Sequence, residues 1–374
     1  MTDRLTGDNL RRYQDLKKSE THAGYLAKYH AYNSMFATQP MEFFRRYAVL
    51  PPSKAGGQTM TSQGSVWTDV SDEDTRAVTG GSHGSTAEVL WKSVPLSQRV
   101  VRINFEKKTT GNEKEALTFT VGTTGVPIYF LPWESLSIVS LAIPDAKGAF
   151  YEPDDPDMPG LFFTAAINGC SVFVKGDPFR PEVFHAGIDG DFASTTSAVE
   201  FWQDRMRTIL AKQGPGGGHL GATREINKRD YIKDPTFKDP TTTATASAFE
   251  DWLKHNQSDE FRVQAVSPWA CVFGIRFGRA WSFYLQENAT ATIMRYVKKS
   301  STEMVALNAS RTQRQMKGTG AAVTAESQKV KTGPFSTTKT IYMTRQEVSR
   351  PLQIREFFPN GGGLIRITDQ VRRI

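Results

Sequence analysis

Residues 168–187 read NGCSVFVKGDPFRPEVFHAG and contain one of the two cysteines and one of the six histidines of the chain. Cys170 and His185 are the residue types of a thiol nucleophile and its base. An isolated thiol has a pKa of about 8.5 and is mostly protonated at neutral pH, and a neighbouring imidazolium favours the reactive thiolate. The same histidine can later protonate a leaving group, so the pair predicts nucleophilic catalysis.

The local pattern predicts a hairpin that brings the two residues together. CSVFVK and RPEVFHAG have the composition of strands, and GDPF between them has that of a turn. If these four residues form the loop, Lys175 lies opposite Arg180 and Cys170 lies opposite His185 on the same face. The Cβ atoms of such a pair are about 4.5 to 5.5 Å apart. A shift in the loop register would remove this alignment.

The residues around Cys170 allow a catalytic and a purely structural interpretation. Gly169 permits tight backbone geometry, and the backbone amides of Gly169 and Cys170 could form part of an oxyanion hole. A lone buried cysteine is also commonly a small hydrophobic residue, and Val172 and Val174 alternate with Ser171 as in a half-buried strand. Spacing alone leaves both interpretations open.

The order of these residues resembles the cysteine-dependent glutamine deamidases. That group includes the catalytic domains of the cytotoxic necrotizing factors, Burkholderia lethal factor and the chemoreceptor deamidases. Its members show a short Ser-Gly-Cys motif and a downstream histidine, often followed by a small residue and glycine. Here Thr164 precedes Gly169 and Cys170 in INGC, and His185 begins HAG. Asn168 stands where toxin-like members have serine.

The resemblance implies roles for five residues. Cys170 would be the nucleophile, His185 the base and Thr164 the group that orients the imidazole, while Asn168 and Gly169 would shape the oxyanion site. It implies deamidation of a glutamine through a thioester, with transglutamination as a side activity, and it requires neither a cofactor nor a metal. The implied partner is a host protein such as a small GTPase or a translation factor. The implied protein is a toxin or effector that acts in the host cytoplasm.

Two other functions remain open from the sequence. A cysteine peptidase or amidase would use the same Cys170 and His185 pair. A non-enzymatic β-rich binding or structural protein would simply pack Cys170 in its core. Cleaved peptide bonds would identify the peptidase. A buried thiol that is unreactive to iodoacetamide and lies more than about 6 Å from His185 would favour the non-enzymatic protein, since the catalytic pair needs hydrogen-bond reach.

The elements that would carry this site differ along the chain. Residues 8–48 have the apolar spacing of helices, including MEFFRRYAVL, and Pro51 and Pro52 end this region. The following stretch is rich in Gly, Ser and Thr, which is typical of a linker or a surface loop. We therefore expect an N-terminal helical region and linker over residues 1–88 and a β-rich catalytic domain over residues 89–374.

From residue 89 the chain is dominated by short runs of β-branched and aromatic residues separated by turn residues. Residues 197–213 are the clearest helix, a second block of strands begins near residue 268, and the C-terminal GGGLIRITDQVRRI predicts a final strand. The weakly hydrophobic residues 318–340 predict a loop. The expected fold is α+β: a β-sandwich of mixed sheets flanked by helices, with an N-terminal helical region.

Composition excludes several classes of function. Two cysteines cannot form a disulfide framework. The charged N-terminus lacks the apolar core of a signal peptide, so the expected route is secretion or injection without a Sec signal. No apolar run is long enough to predict a membrane span. The net charge of +7 comes without a dense Lys/Arg run or a nucleic-acid motif, which argues against nucleic acid as a partner.

Other candidate residues have weaker patterns. Cys271 lies in an apolar strand with no histidine placed to pair with it, which predicts a core position. His83 and His219 lie in Gly-rich loops that lack the lysine of a phosphate-binding loop. The acidic residues 152–160 contain three prolines and lack the pattern of a calcium loop, so they predict an exposed segment that could border the active site.

Overall fold

A computed structural model gives the fold of the chain. The structure describes residues 32–52, 76–78, 89–95, 99–107, 116–146, 158–187, 195–212, 223–231, 251, 261–297, 304–306, 314–316, 322–332, 335–359 and 364–366. His83, His219, most of the acidic segment, most of the predicted linker and residues 8–31 of the predicted helical region lie outside these residues.

Helices and strands follow one another in a mainly β order. The helices are α1 (32–38), α2 (Pro40–Arg46) and α3 (Thr195–Lys212). The strands as far as residue 226 are β1 (Arg76–Val78), β2 (Val89–Ser93), β3 (Val100–Lys107), β4 (Leu117–Gly122), β5 (Val126–Leu131), β6 (Ser137–Ala142), β7 (Leu161–Thr164), β8 (Ser171–Lys175), β9 (Glu182–Gly187) and β10 (Thr223–Ile226). Those that follow are β11 (Phe261–Phe277), β12 (Ala280–Val297), β13 (Met304–Ala306), β14 (Arg314–Met316), β15 (Ala322–Thr332), β16 (Phe335–Phe358) and β17 (Leu364–Arg366).

The described strands form two mixed sheets. The smaller sheet has six strands in the order β1-β2-β6-β9-β8-β10, with β2 and β6 parallel. The larger sheet has eleven strands in the order β13-β14-β15-β16-β12-β11-β7-β5-β3-β4, with β17 beside β16 and with β5 and β7 parallel. The remaining pairings are antiparallel. The predicted α+β sandwich of mixed sheets is confirmed.

The side chains of the smaller sheet separate into two layers because neighbouring residues of a strand point to opposite faces. One face packs against α3, whose apolar stripe is spaced at helical intervals. This helix-facing cluster consists of Val89, Trp91, Ile138, Phe173, Phe184, Ala186, Phe201, Trp202, Met206, Ile209 and Leu210. The opposite face, with Val172, Val174 and Val183, joins the main core toward the larger sheet. We call this region the inter-sheet layer.

Helix α2 covers the outer face of the larger sheet with aromatic side chains. The ring of Phe44 stacks on that of Phe273 with centroids 3.5 Å apart. Phe43 packs on Phe105, and Phe36 of α1 packs on Phe163. All of these rings are buried in the main core. The described N-terminal residues therefore share a core with the predicted β-rich domain.

Gln286 on β12 fixes the backbone that follows α2. Its Nε2 donates to the carbonyls of Phe44 and Tyr47 at 2.6 and 2.7 Å. Its Oε1 accepts from the Val49 amide and from the Cys271 thiol, both at 3.2 Å. This buried amide, whose Oε1 also accepts from Asn288 at 3.3 Å, holds the helix end against the sheet and pairs both of these carbonyls. Cys271 is fully buried, so its predicted core position is confirmed.

Strands β15 and β16 correct one prediction. The weak hydrophobicity of residues 318–340 predicts a loop, but residues 323–332 pair with residues 335–344 as an antiparallel hairpin. These residues alternate threonine, serine and lysine with occasional apolar positions, and such polar strands lack the hydrophobic run on which the prediction depended. The final strand predicted from the C-terminal residues is confirmed as β17.

The first half of β11 lies at an edge of the larger sheet. Over Phe261–Trp269 it pairs with β12 on one side, whereas its pairing with β7 begins at Phe273 and involves residues 273–275. Among the described residues, no strand pairs with the other side of Phe261–Trp269. A register shift near Gln264 interrupts this edge, and Pro268 lies within it.

The helices in the described part of the chain are too short or too polar to span a membrane.

Replacing Phe163 tests the aromatic core. The ring is fully buried and contacts the rings of Phe36, Phe44, Phe105 and Phe119. Phe163→Ala removes these contacts and leaves a cavity, so we expect the free energy of unfolding to fall by about 3–5 kcal/mol. Chemical denaturation measures the loss. Phe277→Ala is the control, since Phe277 is 56% exposed and its replacement should change stability by less than about 0.5 kcal/mol. Equal losses in the two variants would contradict this assignment of the core.

Candidate functional site

Cys170 lies between the two sheets, at the point where the chain passes from one to the other. Strand β7 belongs to the larger sheet, and an isolated bridge from Ile167 to Ala270 keeps the chain on that sheet. The chain then bends at Asn168 and Gly169, where Gly169 has a φ of +100°, and Cys170 directly precedes β8 of the smaller sheet. Glycine adopts this φ without the steric cost that a side chain would add. The bend therefore sets the position of the thiol, which is 7% exposed.

The predicted alignment of Cys170 with His185 is wrong by two residues. Val172 lies opposite His185 and Lys175 opposite Glu182, so the loop has six residues rather than four. Continuing this register places Cys170 opposite Gly187. Diagonal neighbours of this kind are about 7–8 Å apart, which is farther than directly opposed residues. Cys170 and His185 still point toward the same face, because they differ from a facing pair by two positions.

The loop itself explains the register. Asp177 organises a tight turn: its carboxylate accepts from the Phe179 amide at 2.8 Å, and its carbonyl accepts from the Arg180 amide at 3.0 Å. Pro181 has no amide hydrogen, and its carbonyl accepts from Ile143 at 2.9 Å, next to β6. Arg180 and Pro181 therefore belong to the loop rather than to the pairing with β8.

His185 is fully buried in the inter-sheet layer. Burial lowers its pKa from 6.5 to about 3, because the charged imidazolium cannot be solvated there. Neither ring nitrogen has a hydrogen-bond partner among the described residues. The imidazole is therefore neutral at physiological pH, with one nitrogen able to accept a hydrogen bond and the other able to donate one.

Thr164 does not have the predicted role of orienting His185. Its hydroxyl donates to the carbonyl of Ala165 at 2.7 Å, and Thr164 belongs to β7 of the larger sheet, whereas His185 belongs to β9 of the smaller one. Both residues are fully buried. The threonine proton is thus used by the adjacent backbone, and the imidazole nitrogens are unpaired within the described part of the chain.

The oxyanion site predicted at Asn168 and Gly169 loses the Gly169 amide as a donor. The Gly169 amide donates to the Tyr231 hydroxyl at 3.0 Å, so it is not free to bind a substrate oxygen. Asn168 is exposed and lies at the outer end of the bend. The Gly169 amide therefore stabilises the protein fold instead of a reaction intermediate.

Tyr231 is a central residue of the site that the sequence did not indicate. Its hydroxyl accepts from the Gly169 amide and donates to the Cys170 carbonyl at 2.8 Å, so one side chain holds both ends of the Gly169–Cys170 segment. Tyr231 is buried, and burial followed by the charge of Cys170 raises its pKa well above the usual value. The phenol therefore keeps the proton that it donates.

A capped turn holds Tyr231 in place. Asn227 and Asp230 form a reciprocal capping box around residues 228–230, directly before Tyr231. Asp230 also accepts from Arg355 of β16 at 2.9 Å. Because Tyr231 contacts the cysteine segment and Asp230 contacts β16, this turn connects Cys170 to the larger sheet. Tyr231 lies 61 residues after Cys170, and no spacing or motif in the sequence relates the two.

Trp133 is a second residue that the sequence did not indicate. It follows β5, is 6% exposed, and its indole Nε1 has no hydrogen-bond partner within the described residues. A Cβ placed on Gly187 would overlap this Nε1 and lie 2.7 Å from the Cys170 Sγ. The indole N–H and the thiol therefore lie together over the backbone of Gly187, where only glycine leaves room for both.

A buried acid lies on the larger sheet near the same segment. Glu287 is adjacent to Ala270 on one neighbouring strand and to Gln353 on the other, and Ala270 in turn bridges Ile167. Its carboxyl accepts from Gln353. Burial raises the pKa of Glu287 to about 8, and the Gln353 hydrogen bond and the charge of Arg355 oppose the increase. The carboxyl group of Glu287 is therefore mostly protonated at neutral pH.

Comparisons with known proteins identify no family for this chain, so a functional assignment depends on the residues around Cys170. No protein-family model matches the chain, and no curated protein matches it. Within the described residues, no group of three or more His, Cys, Asp or Glu side chains could hold a metal ion. The likeness to glutamine deamidases rests on INGC and FHAG.

The pKa of His185 predicts a specific loss of stability in acid. The folded protein binds a proton at this residue only near pH 3, whereas the unfolded chain does so near 6.5. The stabilisation from the neutral imidazole is therefore complete above pH 6.5 and is lost as the pH falls toward 3, by up to about 1.4 kcal/mol per pH unit. His185→Leu should lack this contribution in denaturation measured across that range. Parallel pH profiles for the two proteins would show that His185 titrates normally in the fold.

Removing the Tyr231 hydroxyl should loosen the cysteine segment. Tyr231→Phe leaves the Gly169 amide and the Cys170 carbonyl without this partner, and we expect a loss of about 1–3 kcal/mol in unfolding free energy. Alkylation of Cys170 by iodoacetamide should become faster. Tyr284→Phe is the matched control, because Tyr284 is also buried but its hydroxyl bonds Ser282. Equal changes in the alkylation rate of Cys170 in the two variants would contradict this role of the Tyr231 hydroxyl.

Proposed function

We propose that the protein is a cysteine-dependent amide hydrolase that converts a glutamine side chain of a target protein to glutamate. The observation that supports it most is the position of His185. It lies on the same face as Cys170, two positions from the residue opposite the thiol, with both ring nitrogens unpaired among the described residues. The two nitrogens are not committed to a hydrogen bond with the described residues, which leaves them for proton transfer.

The reaction would begin from neutral groups. Burial keeps His185 uncharged. The Cys170 proton therefore moves to the imidazole as the sulfur attacks the amide carbon. This transfer is either direct, once a side chain has rotated, or passes through one water molecule. Formation of the C–S bond gives a tetrahedral intermediate. Its collapse breaks the C–N bond, and the imidazolium returns its proton to the departing ammonia.

Water completes the cycle. The imidazole takes a proton from a water molecule, whose oxygen attacks the thioester carbon. The C–S bond breaks, the thiolate recovers the proton, and a carboxylic acid remains that ionises to glutamate. One water molecule is consumed and one ammonia is released. A primary amine in place of water would give the transglutaminase reaction.

Burial of the thiol favours a slender substrate group. Cys170 is 7% exposed, and Asn168, two residues before it, is exposed. A glutamine side chain has its amide at the end of an unbranched stem and can enter a narrow opening, whereas a peptidase must fit a main chain on both sides of the scissile bond. The likeness to deamidases points to a host protein, such as a small GTPase or a translation factor, and to action in the host cytoplasm.

A non-enzymatic role is the second candidate, and the burial of both residues favours it. His185 is fully buried, and Cys170 belongs to the main hydrophobic core. In this alternative the protein is a β-rich binding or structural protein, and the thiol is a packing group. The two candidate functions differ in the reactivity of Cys170, which is high in the enzyme and low in the non-enzymatic protein.

The two cysteines provide a matched test. We expect incubation with candidate small GTPases or translation factors to convert a glutamine to glutamate, detected by peptide mass spectrometry. Cys170→Ser should abolish the conversion because an alcohol is a much weaker nucleophile under these conditions. Cys271→Ser should retain it, since Cys271 donates to Gln286 in the core and serine can do the same.

Three outcomes would count against the enzyme. Full activity of Cys170→Ser would exclude the thiol mechanism. Cleaved peptide bonds would identify a peptidase. A Cys170 that resists iodoacetamide in the folded protein, together with no change in any target, would favour the non-enzymatic role.

A further inference from the structure

The Cys170 site has a buried hydrogen-bond donor that no described residue satisfies. The indole of Trp133 can only donate through Nε1, and this atom has no partner among the described residues although the side chain is 6% exposed. Because a Cβ on Gly187 would collide with both Nε1 and the Cys170 Sγ, these two atoms occupy the same small region. A thiol sulfur is a weak acceptor, so it does not replace an oxygen at this position.

We propose that Trp133 is a catalytic residue whose indole N–H binds the carbonyl oxygen of the substrate amide. This inference rests on the proposed hydrolase function. When sulfur attacks the amide carbon, the carbonyl π electrons move to oxygen, and the developing oxyanion lies within a few ångströms of the sulfur. A donor beside the Sγ is therefore in the region where that negative charge forms. The amide N–H of Gly169 cannot serve there because it donates to Tyr231.

Gly187 is the second requirement of this arrangement. A methyl group at this position would overlap Trp133 Nε1 and approach Cys170 Sγ to 2.7 Å, so any side chain would displace the donor, the nucleophile or both. The absence of a Cβ thus permits the indole and the thiol to converge. The ligand class that fits is a compound with an acyl carbonyl, and a primary carboxamide satisfies both the nucleophile and the donor.

The first experiment compares the kinetics of two tryptophan variants. Trp133→Phe should lower kcat for glutamine deamidation by about 100-fold to 1,000-fold with little change in KM, because the donor acts mainly on the charge of the transition state. Alkylation of Cys170 by iodoacetamide should keep its rate and pH profile. Trp202→Phe is the control, since Trp202 is 1% exposed but packs on the helix-facing side of the smaller sheet.

The second experiment does not depend on activity. Alkylation of Cys170 with iodoacetamide attaches a carboxamide, whose carbonyl can reach the indole of Trp133. In the NMR spectrum of the indole groups, the resonance that Trp133→Phe removes should shift on alkylation, as expected for a new hydrogen bond. The shift should persist in Trp202→Phe.

The outcomes separate this inference from the proposed function. An active wild-type protein with unchanged kcat in Trp133→Phe overturns the role of Trp133 and leaves the hydrolase in place. An inactive wild-type protein overturns the hydrolase, and the NMR shift then decides whether Trp133 binds a carbonyl. An alkylated protein without a shift at Trp133, or a Cys170 that does not react, overturns the inference.

Discussion

Exclusion of water from the layer between the two sheets governs the chemistry of this protein. A polar group in that layer must be paired by protein atoms, change its protonation or remain unsatisfied. The structure contains all three cases. Tyr231 is paired at both ends of the cysteine segment, His185 and Glu287 favour their neutral forms, and Trp133 Nε1 has no partner among the described residues. The same burial that stabilises the sandwich therefore makes its unpaired groups available to a ligand.

The polar contacts also show how segments far apart in sequence define one site. The larger sheet holds the approach to Cys170 through the Ile167 bridge, and Arg355 holds the turn that carries Tyr231. The smaller sheet contributes His185 and Gly187 on β9. Since the thiol lies between these two supports, its position depends on how the sheets pack against each other. A core substitution distant from the thiol can therefore alter its reactivity.

The sequence was informative where side-chain periodicity decides the structure. The strands around Cys170, the helix over residues 195–212, the core position of Cys271 and the α+β sandwich follow from apolar patterns that burial enforces. The register of the hairpin was not accessible in this way, because the Asp177 turn and Pro181 added two residues to the loop. Tyr231 and Trp133 were also not accessible, because long-range packing alone brings them to Cys170. Polar strands such as β15 have the composition of a loop, and they become strands by pairing with a neighbouring strand, here β16.

The edge formed by Phe261–Trp269 affects how the molecule behaves toward copies of itself. An uninterrupted edge strand offers a row of amide and carbonyl groups to which a strand of another molecule can add. Here the irregularity near Gln264 breaks the spacing of that row, and Pro268 removes one donor from it. The backbone groups of this edge are therefore a poor template for the addition of a strand from another copy of the chain.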